Sequence, residues 1–408
     1  MITKCEESMH RREQVGAIVF SLMTIIVILC SGPIWAAEKS VAGGHAIDQW
    51  MREHGLSWLE GMRFKADFQL RYQGEWWEYT DADGKQRDND RHRARFRLRF
   101  GITKEYRQEG LKVGFRLASG SSDEPTSTSE TLGSNFDKKQ VWIDLAYVEY
   151  RPPFIPGLLL AGGKVKNPFV HTDVLWDSDV NLDGAYQTFA LAKGSFRPFV
   201  TIAEMSINEF KMDVRHDSTL LAGQAGMRLE AGRARAVAAV AYYDFDEFER
   251  NYRAAHGNPV DDNNVLAAGD FNVLDVMGQI GMKFGGIPFK VTLDYAVNTA
   301  DDARKERYFG GKDSAFGVFF NVGKCIKKGD WQVGYKYGYI QPNAVPGDFC
   351  DATFGHANRK GHKIKLGYQP FRMANLQLTG FFTRPSNVAK GERINDDVII
   401  QADFNVKL

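Results

Sequence analysis

Arginine occupies alternate positions at Arg91, Arg93, Arg95, Arg97 and Arg99, and Ala94, Phe96, Leu98, Phe100 and Ile102 fill the intervening row. A guanidinium stays ionised and presents a planar fork of donors, which suits carboxylate, phosphate or sulfate. Arg71, Lys112 and Arg116 stand on neighbouring segments and would widen the same basic face. A second set is acidic: Asp173, Asp177 and Asp179 lie within 167–183, and Asp183 closes it. Asp177 to Asp183 has the alternating oxygen ligands of a calcium loop. However, Leu182 stands where the turn glycine belongs, and no glutamate follows at the twelfth position. No catalytic elbow, phosphate-cradling glycine loop or metal constellation is present in the sequence, so neither a cofactor nor an enzyme is expected.

The elements that must position these groups alternate with period two. Phe64, Ala66, Phe68, Leu70 and Tyr72 share one face against Lys65, Asp67, Gln69 and Arg71. The same rhythm returns at 289–298, 331–339 and 398–408. A helix, with period 3.6, would scatter such sets around its axis, so these segments are strands. Sixteen are expected: 64–77, 91–104, 110–119, 140–151, 157–166, 184–193, 197–206, 218–230, 233–246, 268–284, 287–298, 313–326, 330–341, 361–370, 374–384 and 396–408. Short turns alternate with long loops at 78–90, 120–139, 167–183, 207–217, 247–267, 299–312, 342–360 and 385–395. An even number of strands with uneven connections predicts an all-β fold, a closed antiparallel transmembrane β-barrel in an outer membrane. A closed barrel also leaves no backbone group unpaired in lipid.

The composition fits. A net charge of +1 excludes a strongly basic nucleic-acid binder, so no nucleic-acid partner is expected. Forty glycines and 12% aromatic residues suit a barrel, whose polar lumen makes its mean hydropathy look soluble. Residues 1–37 read as a cleaved signal peptide, with Lys4, Arg11 and Arg12 before an apolar run from Val15 to Cys30 and small residues at Ala36 and Ala37. Residues 38–62 form a short periplasmic segment of helical pattern, and 63–408 form the barrel. Loss of the leader removes Cys5 and Cys30. Cys325 and Cys350 then fall at opposite ends of the barrel, too far apart for a disulfide.

The stretch Arg91-His-Arg-Ala-Arg-Phe-Arg-Leu-Arg-Phe-Gly101, with Gly114-Phe-Arg-Leu-Ala-Ser-Gly120, resembles the putative porin family of Gram-negative bacteria. Pro125-Thr-Ser, Thr131-Leu-Gly133, Asp144-Leu-Ala-Tyr147, Gly163-Lys-Val-Lys-Asn-Pro-Phe169 and Leu175-Trp-Asp-Ser-Asp179 extend the likeness across about 91–190. The resemblance implies a water-filled outer-membrane channel for passive diffusion of small hydrophilic solutes. Outer-membrane lipid and lipopolysaccharide would surround it, and a homotrimer is the candidate assembly. It also implies that the third external loop, 167–183, folds inward and sets its aspartates against the arginines.

Two roles for the basic row remain open. It would favour anions in a narrow pore, or its members would pair with lumenal acids and brace the wall. The alternative function is a substrate-specific channel for phosphate, carboxylates or anionic oligosaccharides.

Overall fold

The computed structural model describes residues 53–55, 59–80, 85–191, 194–210, 217–248, 256–261, 265–267, 269, 271–305, 309–388 and 396–407. The expected leader and most of 38–62 lie outside the described residues. Glu60–Leu408 forms one compact unit, separate from Met1–Leu59.

Sixteen long strands build that unit: β1 (Met62–Thr80), β2 (Gln86–Tyr106), β3 (Leu111–Ser119), β5 (Val141–Tyr150), β6 (Leu158–Lys166), β7 (Asn181–Ala190), β8 (Phe196–Asn208), β9 (Ser218–Ala231), β10 (Ala234–Asp246), β11 (Phe271–Phe284), β12 (Ile287–Asn298), β13 (Ser314–Gly323), β14 (Trp331–Ile340), β15 (Arg359–Tyr368), β16 (Ala374–Pro385) and β17 (Asp397–Lys407). A two-residue strand, β4 (Glu130–Thr131), sits inside the second external loop and pairs with Arg95 and Phe96 of β2. Each long strand pairs antiparallel with its neighbours, and β1 pairs with both β2 and β17, which closes the barrel. A five-residue helix, α1 (Asp301–Lys305), is carried by the sixth loop. Among the described residues no helix is long and apolar enough to cross a membrane.

The wall is inside out relative to a water-soluble protein. Phe64, Leu98, Val200, Ile202, Leu293 and Phe382 are exposed on its outer face, while Gln69, Gln73, Gln224, Thr379, Gln401 and Asp403 are buried within. Alternation fixes this side. A one-residue slip would turn the arginines into lipid, where each costs about 2–4 kcal/mol at the midplane.

The first long loop is a correction. The β1–β2 ladder continues through Trp77↔Asn89 and Tyr79↔Arg87 to Thr80↔Gln86, so that only 81–85 fall between the two strands where 78–90 was expected to be a loop. Above the membrane both faces of a strand meet water, so its sequence no longer has to alternate. Asp88, Asn89 and Asp90 therefore read as a loop while belonging to a ladder. Likewise β7 begins at Asn181 and not at 184, because Asn181, Leu182 and Asp183 pair with Lys166, Val165 and Lys164.

Cys325 is half-buried in the turn after β13 and Cys350 is buried in the seventh loop; both are free thiols. Burial pushes the Cys350 thiol well above its ordinary range, and only a thiolate attacks an electrophile. A maleimide should therefore label Cys325 in the folded barrel and reach Cys350 only after unfolding. In a chain lacking residues 1–37, and so Cys5 and Cys30, two labels per folded molecule, counted by mass spectrometry, would contradict this packing.

Candidate functional site in the lumen

The third loop leaves β6 and crosses the barrel interior. The backbone N–H and C=O of Val170 bond the Gln224 amide of β9, each at 2.8 Å. The Thr172 hydroxyl donates to Asp294 of β12. Asp173 then meets Lys336 of β14 at 2.7 Å and Lys363 of β15 at 3.1 Å, and Lys363 also holds Asp351 at 2.8 Å. Burial raises the Asp173 carboxyl, but the two ammonium groups outweigh it and hold the carboxyl well below the usual carboxylate range. On its return the loop passes Asp179 to Arg99 of β2 at 3.3 Å and to the Thr128 hydroxyl at 3.1 Å.

Between these anchors Val174, Leu175 and Trp176 are fully buried. Trp176 stacks on Phe349 at 5.3 Å and meets Tyr243 edge-on at 5.7 Å. Phe245, Phe248, Phe271 and Phe354 complete an apolar plug built from the inner faces of β10 and β11 and from the fifth and seventh loops. The sequence did carry a signal for it. Tyr243, Phe245, Phe271 and Val273 put apolar residues on the row where a channel-lining strand should be polar.

The plug leaves the other side of the barrel open. A polar cavity of about 670 Å3 runs between it and the wall of β1, β2 and β15–β17. Arg71, Arg93, Arg95, Arg97 and Arg99 line one side, and Asp173, Asp177, Asp179 and Asp351 line the other. These members of the two sets therefore line one cavity. Arg91, Lys112 and Arg116 do not line this cavity. Arg91 is exposed on the outer part of β2. Lys112 pairs with Glu149 at 3.0 Å, and Arg116 with Asp144. Asp183 is a second correction. It sits on the outward row of β7, paired with Lys164 at 2.7 Å, and takes no part in a constriction.

Pairing separates the arginines. Arg71 makes a two-pronged contact with Asp403 at 2.7 and 3.0 Å. Arg93 pairs with Glu75, and Arg97 and Arg99 share Asp67 at 2.9 and 2.8 Å. Arg95 is in no ion pair among the described residues, although Glu75 and Glu124 act on it through their charge. Its guanidinium donates to the Ser129 carbonyl at 2.8 Å and to Gln73 and Ser127 oxygens at 3.3 Å, all neutral acceptors. Its Nε is buried without a partner. On the facing side burial, reinforced by Asp351 and Asp179, raises the Asp177 carboxyl well above its ordinary range.

Where the fifth and seventh loops meet, His256 and His356 stack with centroids 4.0 Å apart. The Asp348 contact at 2.6 Å raises His256. Burial, then the charge of His256, lowers His356, whose Nδ1 donates to the Gly347 carbonyl at 3.0 Å. Glu124 of the second loop also acts on both rings. The contribution of His256 is complete below about pH 6.5 and is lost as pH rises through its raised folded value. His356 works oppositely: below about pH 6.5 the opened state takes up a proton that the closed state refuses, so closure weakens as pH falls. The ratio of the protease cleavage rate within these loops at pH 5 to that at pH 7 should fall in His356→Gln, which removes only the contribution that weakens with acid. An equal ratio in the variant would remove His356 from the account.

A closed barrel of sixteen crossing strands, with an inward loop that narrows a polar lumen, defines a membrane diffusion channel. The chain belongs to the family described as putative porin, whose profile matches residues 78–264 and 249–407. It is an outer-membrane channel for passive passage of solutes. Among solved structures, the high-pH structure of Pseudomonas putida OprB is similar, with 10% identity, a TM-score of 0.56, and coverage of 88% of this chain and 97% of that one. The anion-selective porin from Comamonas acidovorans gives 12% identity and a TM-score of 0.47, covering 85% of this chain and all of that one. No match is found among curated proteins.

Proposed function

We propose that this porin passes small hydrophilic solutes along the arginine side of its lumen and favours anions, with Arg95 setting the preference. The observation that carries this reading is the asymmetry of pairing. Four of the five arginines are ion-paired, whereas Arg95, within reach of the charges of Glu75 and Glu124, hydrogen-bonds only neutral oxygens among the described residues. The paired four brace the wall, which disfavours a continuous anion track along the whole row. One guanidinium outside any ion pair in a narrowed, partly dehydrated passage biases permeation without binding solute tightly. In planar bilayers under a KCl gradient, the wild-type reversal potential should carry the sign of chloride preference. A potassium sign would refute the anion reading and leave the diffusion channel intact.

The proposed setting is the outer membrane, amid lipid and lipopolysaccharide, and the proposed assembly is a homotrimer. A patch on the outer face supports self-association: the Lys164–Asp183 pair, with Gln187 and Glu204 exposed on β7 and β8. Charged groups are unfavourable against lipid and are better placed against another subunit. Native mass spectrometry should find trimers that Glu204→Leu alters in stability. Monomers throughout would refute the assembly.

A further inference from the structure

We infer that the barrel holds a second binding site, a side pocket for small aromatic ammonium ions. A cavity of about 450 Å3 lies at the extracellular ends of β5–β9, beneath the second loop. It adjoins the lumen at Glu124, Ser127 and Asp179, which line both spaces. Its volume is in the range of pockets that enclose small organic ligands.

The lining is apolar with an acidic edge. Leu182, Met205, Leu220 and Phe248 are buried there, and Trp142 is 40% exposed, its indole N–H donating to the Gly120 carbonyl at 2.9 Å. Two cations line the pocket, and each already has its carboxylate: Lys164 pairs with Asp183 at 2.7 Å and His256 with Asp348 at 2.6 Å. Asp144 and Asp179 are held by Arg116 and Arg99. Glu124 differs from them. The Thr126 hydroxyl donates to it at 2.7 Å, and no cation pairs with it among the described residues. The pocket thus offers an apolar floor, an indole and a carboxylate, Glu124, that is in no ion pair among the described residues and feels the charges of His256 and Arg95 only at longer range.

Those groups select a ligand by three terms. The floor takes an apolar body, and the Trp142 ring suits both an aromatic ring and a nearby cation. Glu124 supplies a charge-assisted acceptor for an ammonium group. An anion finds no unpaired cation among the described residues of the lining, and a neutral analogue forfeits the charged contact. Glu124 also acts through its charge on Arg95 of the wall, whereas Trp142 does not line the lumen cavity.

Calorimetric titration of the folded barrel in micelles would compare phenethylammonium, 2-phenylethanol and phenylacetate. Phenethylammonium should bind about tenfold tighter than the alcohol, as one charged hydrogen bond implies, and phenylacetate should not bind. Glu124→Gln should bring the ammonium down to the alcohol's affinity, and Trp142→Ala should weaken both. Glu124 lies in a loop, so its variant retains the barrel, and subtracting its heats removes partition into micelles. Identical ammonium isotherms in wild type and Glu124→Gln, or binding of phenylacetate as tight as that of phenethylammonium, would overturn the proposal.

Discussion

Replacing Arg95 by glutamine should lower the chloride-to-potassium permeability ratio by about twofold, since one guanidinium outside any ion pair is lost from a narrowed pore. Its stability cost should stay near that of ordinary hydrogen bonds, about 1–2 kcal/mol, because no ion pair is broken. Arg71→Gln provides the contrast. Asp403 has a side chain with no exposed surface, so removing its guanidinium leaves a buried carboxylate uncompensated, at about 3–5 kcal/mol. Selectivity and stability should therefore separate between two arginines that are cross-strand neighbours in the register. Reversal potentials and thermal melts of both variants check this. An unchanged permeability ratio in Arg95→Gln would mean that ion preference arises elsewhere in the lumen.

The second large effect is expected at Asp173. Asp173→Asn leaves Lys336, whose side chain is 3% exposed, without its carboxylate partner, and stranding a buried charge costs about 3–5 kcal/mol. The same change frees the third loop from β14 and β15 at its farthest reach across the lumen. Single-channel conductance should rise, and open-state noise should increase as the loop moves. Asp173→Asn combined with Lys336→Met should recover most of the stability but not the original conductance, because the anchor is still missing. If the single variant keeps both wild-type conductance and wild-type melting, the ion pairs do not hold the loop.

How far the sequence foretold this follows from what each residue had to satisfy. Phe96, Leu98 and Phe100 against Arg95, Arg97 and Arg99 had one tolerable arrangement in a membrane, so strand, side and lumen were all legible there. Asp88 to Asp90 stood above the lipid, where no rule of alternation applies, and were misread as loop. Asp183 was assigned by proximity to Asp177 and Asp179, yet the strand starts three residues early and parity turns it outward. The basic row was recognised, but its division into paired and unpaired members was not. Asp67, Glu75 and Asp403 belong to other strands, and only the β1–β2 and β1–β17 registers bring them opposite. The contacts of Asp173 with Lys336 and Lys363 span well over a hundred residues and leave no local trace. The plug did leave one, in the apolar inner residues Tyr243 and Phe245.

The central claim is that solutes pass between the arginine wall and the third loop. Ser178 is exposed on the loop side of that cavity, so it reports on the path without touching either charged set. Ser178→Cys, in a background with Cys325→Ser, should lose most of its single-channel conductance in one step when a bulky methanethiosulfonate reagent is added, and regain it on reduction. Complete labelling with unchanged conductance would place the current elsewhere and contradict the account.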